Sequence, residues 1–145
     1  MSQQSSKSKE LKIVARPVVT IDQIKNNQRA LRLLHLISLL GRVSERNLLS
    51  ILKELKDSGL DLGYSIVNVA GSPVSKDFRE DITSLLYVGL LEASQQNRVI
   101  SLTSLGREFL NNNLDNEFLE RARAKIEELK PKISMLIAES DVKRR

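Results

Sequence analysis

From Thr20 onward the apolar residues recur at spacings of three and four, interrupted at a few glycines and prolines, which is the pattern of amphipathic helices. The first stretch runs from Ile21 to about Leu40 and opens with "TIDQ". A Thr20 N-cap with Gln23 three residues on makes a capping box that satisfies first-turn amides. Its second half is apolar nearly all round, from Leu31 to Leu40, leaving only Arg32, His35 and Ser38 as a polar stripe. Such a helix is buried on most sides, so it is expected at the centre of the core or in a dimer interface. Gly41 ends it, and a second helix starts at Ser44 with Leu48, Ile51, Leu52 and Leu55 on one face and Gly59 as its stop. The following "LDLGYSIVNVAGSP" has a two-residue period at Tyr64 and Ile66, broken at Gly71 and Pro73, and reads as a short extended or irregular connector. Ser75 caps a third helix with Phe78, Ile82, Leu85 and Leu86 inward, its early acids suiting the helix dipole. Next come two strand-like runs, "LLEAS" and "RVISLT", joined by "QQN" as a hairpin turn; Thr103 or Ser104 then caps a helix to about Asn112.

The remaining run, "LDNEFLERARAKIEELKPKISMLIAES", predicts a long amphipathic helix. Its apolar positions Phe118, Ala122, Ile126, Leu129, Ile133 and Leu136 step close to a heptad, the seam expected of a coiled coil that pairs two protomers. Pro131 lies within it, where it removes a hydrogen bond and should kink or divide the helix. At the other end, "ELKIVARPVV" alternates Leu11, Ile13 and Ala15, suited to an edge strand or a groove, before Pro17 stops any helix. The expected fold class is mainly α with a small β-hairpin. Its parts are an N-terminal tail 1–19, a domain 20–112, a dimerisation helix 113–140 and a C-terminal tail 141–145.

Composition narrows this picture. A chain of 145 residues buries one core rather than two. With aromatics at 3%, Leu, Ile and Val must fill that core, which favours helices. Absence of cysteine removes disulfides, thiolate catalysis and cysteine metal sites together. No run is apolar enough for a secretory signal or a bilayer span, so a cytoplasmic protein with no membrane partner is expected. The net charge of +5 resides in the tails: Lys7, Lys9, Lys12 and Arg16 against Glu10, and Lys143, Arg144 and Arg145 against Asp141, leaving residues 17–140 neutral. Such tails are either simply solvated or attract phosphate without reading sequence.

The segments "DITSLLYVGLLE" and "VISLTSLGREFL", separated by a short polar turn, resemble the winged helix-turn-helix domain, especially small archaeal and bacterial regulators of the MarR and PadR kind. Leu85, Gly89, Leu90 and Leu91 match the leucine-rich end of the recognition helix in those families, and Leu102, Thr103 and Gly106 match the close of the second wing strand. The likeness covers about residues 28 to 110, and the C-terminal helix resembles that of archaeal chromatin-associated winged-helix proteins. It implies that 20–112 is a winged-helix domain of a dimeric, nucleoid-associated or transcription-regulating protein that binds double-stranded DNA. Ser75, Lys76 and Arg79 would contact the duplex from the third helix, and Gln95, Gln96, Asn97 and Arg98 from the wing, whose amides and guanidinium suit phosphate or a minor groove. The plainer alternatives are a soluble turn, and lysine and arginine paired with neighbouring acids on a solvated face. Two features depart from the pattern: the connector before the third helix is longer than a tight turn, and that helix carries Asp77, Glu80 and Asp81 against Lys76 and Arg79, which would repel phosphate.

Other chemistry is thinly represented. His35, the one histidine, lies in the most apolar helix and reads as a packed, hydrogen-bonded residue. Asp77, Glu80 and Asp81 have the spacing of a well-capped helix start more than of a cation site. No nucleophile-and-base set, P-loop or dinucleotide fingerprint occurs, so neither enzyme activity nor a cofactor or metal is expected. The rival expectation is a protein-docking subunit of a larger complex, favoured by the neutral body. A weaker one is a regulator with an apolar ligand pocket between dimer halves.

Overall fold

The computed structural model describes residues 20–96 and 98–143. The tail 1–19 with its alternating Leu11, Ile13 and Ala15, the residue Asn97, and the tail's Arg144 and Arg145 lie outside the described residues. The protein is mainly helical with a small antiparallel sheet. In chain order the elements are α1 (Ile21–Lys25), α2 (Gln28–Leu40), β1 (Val43–Ser44), α3 (Glu45–Asp57), β2 (Val67–Val69), β3 (Ser72–Val74), α4 (Lys76–Tyr87), β4 (Leu91–Ala93), β5 (Val99–Leu102), α5 (Ser104–Asn111), α6 (Asn116–Glu128) and α7 (Lys130–Lys143).

The single helix expected over Ile21 to Leu40 is two. The Thr20 capping box forms as expected, but Asn27 adopts an extended conformation and its side chain accepts the Ala30 N–H, starting α2 afresh. A residue that bonds its own following amides competes with continuation of the helix. Helix α2 is the centre of the core: Leu33, Leu34, Leu36 and Ile37 are fully buried, against α1, α4, α5, α6 and β5.

Three strands form one sheet in the order β1–β5–β4, with Val43 opposite Ile100 and Leu91 opposite Leu102. Strand β1, two residues long, is too short to leave a period in the sequence. The connector also holds structure that its period only half announced. Strands β2 and β3 pair as a separate hairpin, Val67 opposite Val74 and Val69 opposite Ser72. Its two-residue turn, Ala70–Gly71, has positive φ at both positions, the turn whose twist matches a hairpin.

The long C-terminal helix is divided at Leu129, just before Pro131 enters the first turn of α7, where a missing N–H leaves no bond unmade. Its apolar seam points into this same chain. Phe118, Ala122 and Ile133 are buried, and Ile126 and Leu129 are partly buried against the core. Leu136 lines a groove shared by α3 and the β2–β3 hairpin. Helix α6 packs on α2 and α7 on α3, with Lys132 Nζ 3.1 Å from Glu54 Oε1. The area expected to pair two protomers is therefore largely occupied within one.

Candidate nucleic-acid interface

Helix α4 starts where its sequence says it should, with the Ser75 side chain accepting the Phe78 N–H. Phe78, Ile82 and Leu85 anchor it on the core, which fixes the rotation of the helix and hence the direction of every charged side chain on it. Asp81 faces inward and is almost fully buried. Its carboxylate accepts the Tyr64 hydroxyl at 2.8 Å and the Asn27 amide at 3.1 Å, and lies 3.3 Å from Arg29 Nε. Asp77, half-buried, takes the Ser65 N–H at 3.2 Å and lies 3.4 Å from Arg29 Nη1. That backbone donor, with Arg29 and Ser75 adding to it, holds the Asp77 carboxyl below its usual range. Burial, and next the Asp81 charge beside it, push the Tyr64 hydroxyl well above its ordinary range, so it stays protonated as the donor.

Two of the three acids of α4 are thus turned away from solvent and matched with donors. The face left exposed carries Lys76, Arg79, Glu80, Thr83 and Tyr87, one helical stripe in which two cations outnumber one carboxylate. Tyr87 is 64% exposed, an aromatic ring with no core function. Ser75, by contrast, is buried and spent on capping.

The β4–β5 turn is held against the start of α3. Arg98 has φ of 48°, a left-handed conformation rare outside glycine. Its carbonyl accepts the Glu45 N–H at 3.0 Å, and its Nε donates to Glu45 Oε1 at 2.7 Å. Ser94 closes the turn, its hydroxyl donating to the Gln96 carbonyl and accepting the Val99 N–H. Gln95 and Gln96 are exposed at the tip.

Between α3, β3, α4 and this turn runs an open groove of about 420 Å³ lined by Glu45, Arg46, Pro73, Val74, Arg79 and Arg98, among others. Among the described residues neither Arg46 nor Arg79 forms an ion pair. The structure therefore brings Arg79 and Arg98, expected from the sequence, together with Arg46, which was not. Arg46 follows the Ser44 cap and could have been found there, since first-turn residues of a helix lie beside whatever its N-terminus faces.

His35 is a packed residue. It accepts the Asp115 N–H through Nε2 at 3.0 Å, which leaves Nδ1 to donate to the Leu31 carbonyl, and its ring meets Phe118 edge-on. Among the described residues no helix is long and apolar enough to cross a membrane. Comparison with protein-family models, with curated proteins and with solved structures finds no match to this chain.

Proposed function

We propose that this chain is a double-stranded DNA-binding protein of winged-helix build, acting in transcription control or in packing the nucleoid, without catalysis. On this reading α4 enters the major groove, the β4–β5 turn is the wing, and Arg46, Arg79 and Arg98 grip phosphates beside it. The element order α2–β1–α3–β2–β3–α4–β4–β5, in which the β2–β3 hairpin is inserted between α3 and α4, with the sheet order β1–β5–β4, supports the fold reading. The observation that carries the function is the inward aim of Asp77 and Asp81, which turns an acidic helix into one with a weakly cationic exposed face beside three guanidinium groups. Phosphate contacts position such a helix, and Thr83 and Tyr87 are the side chains left to meet base edges or sugar. Pairing through α6 and α7 is not part of the proposal, because their seam is packed on α2 and α3.

Anisotropy titration of random-sequence duplex with the full chain, at low and near-physiological salt, tests this. Arg46→Ala and Arg79→Ala should each weaken binding about tenfold and lower the slope of log affinity on log salt by about one. Unchanged binding in both variants, or none in the parent, overturns the reading.

A second reading is favoured by the β2–β3 hairpin. Val67 and Val69 are 59% and 56% exposed, and no charged residue lies between Asp61 and Lys76. That ribbon suits a protein partner through strand addition.

A further inference from the structure

Among the described residues, the ion pair at the mouth of the groove is the shortest. Lys53–Asp57 and Lys125–Glu128 join neighbours on one helix at 3.5 Å. Arg98–Glu45 joins a hairpin tip to a helix start at 2.7 Å, between a side chain 57% exposed and one only 18% exposed. The carboxylate is thus the fixed member and the guanidinium the accessible one. Glu45 also sits in the first turn of α3, where the helix dipole favours a negative group. A phosphodiester arriving between Arg46, Arg79 and Arg98 would meet the same attractions that already hold Glu45.

We infer that Glu45 is an internal stand-in for a DNA phosphate: it occupies Arg98 in the free protein, and a backbone phosphate displaces it when duplex binds. This rests on the DNA-binding reading above and adds to it which residue opposes binding. Backbone geometry makes the exchange feasible without rebuilding the turn. The carbonyl of Arg98 is held by the Glu45 N–H, a main-chain contact that survives loss of the carboxylate, so the guanidinium stays at the groove when its side-chain partner leaves. Part of the free energy of each Arg98–phosphate contact is then spent on separating Arg98 from Glu45. The carboxylate left behind lies in the same groove as the incoming phosphate and repels it, so duplex affinity is lower than three guanidinium groups alone would give.

Glu45→Gln keeps the shape and removes the charge. It should bind random-sequence duplex about fivefold tighter at low salt, the size of one exposed ion pair, and its salt slope should steepen by up to about one. Arg98→Gln should bind more weakly than the parent. In the double variant the gain from Glu45→Gln should disappear, because the two residues act through one contact. Thermal unfolding of each variant, with far-ultraviolet dichroism, establishes that it is folded. If the parent binds duplex and loses affinity with Arg46→Ala, yet folded Glu45→Gln binds no tighter, the stand-in inference is overturned while the DNA-binding reading stands. A gain that persists in the Arg98→Gln background also overturns it, since the effect is then only general charge. If neither parent nor Glu45→Gln binds duplex, both fall together.

Discussion

Asp81 shows how a single residue changes meaning with its partners. By sequence it is one of three acids on a helix proposed to meet phosphate; in the fold it is the hub of a buried knot joining α2, the connector and α4. Arg29 completes the knot from above, its guanidinium 5.3 Å from the Tyr64 ring centre. A buried carboxylate stripped of one donor costs more than the bond itself contributes, so Tyr64→Phe should lower stability by roughly 1–3 kcal/mol in urea unfolding at neutral pH. The pH dependence has a definite sign. The folded phenol titrates above its ordinary range, so its stabilisation is complete below about pH 10 and declines as pH rises past that value. Tyr64→Phe should therefore flatten the alkaline limb of the stability curve. Asp77 has the opposite sign: its lowered pKa contributes stability above the usual carboxylate range that is lost as pH falls through its folded value, so Asp77→Asn should flatten the acid limb. None of this was legible in the sequence. The side chains that decide where Asp77 and Asp81 point lie some fifty residues upstream at Asn27 and Arg29, or in a connector with only a partial period.

Among the elements, those with strong local signals read well. Ser44 and Ser75 cap the helices they were expected to cap, Thr103 proves to be the cap where Thr103 or Ser104 was expected, and Thr20 caps a helix that ends at Lys25 instead of Leu40. The leucine, threonine and glycine pattern after β5 has a physical basis too. The Thr103 hydroxyl accepts the Gly106 N–H at 2.9 Å and donates to the Gly89 carbonyl at 2.6 Å, tying the start of α5 to the end of α4. At Gly106 a Cβ would collide with the Leu90 carbonyl oxygen, so Gly106→Ala should cost about 1–3 kcal/mol, measured by urea or thermal unfolding. The C-terminal seam was ambiguous, because an apolar stripe on a helix has the same spacing whether it meets its own core, as most of it does here, or another protomer. The parent's size decides between the two: it should sediment as a monomer throughout, and Ile133→Asp, on the buried face of α7 at a position 6% exposed, should sharply lower its unfolding midpoint.

At the scale of the whole molecule, charge is divided rather than spread. The body's acids and bases balance across 17–140, yet local pairing leaves one groove cationic, which no count along the chain could disclose. A duplex should therefore protect this face selectively. Footprinting of arginine side chains by a guanidine-specific reagent should show Arg46, Arg79 and Arg98 shielded on DNA addition, and Arg107, exposed on α5 and absent from that groove, unchanged.

The hairpin β2–β3 gives the molecule a second temperament. Among the described residues its strands pair only with each other, and they show valines to water and lack the lysines and glutamates that ordinarily keep such edges apart. Ionic strength then acts on the two faces in opposite senses. Salt screens phosphate from arginine, while strongly hydrated anions such as sulfate press apolar surface together. On the proposed readings, dilute buffer should favour the polyelectrolyte partner and concentrated sulfate strand meeting strand, so the solvent alone would select which side of the protein is sociable.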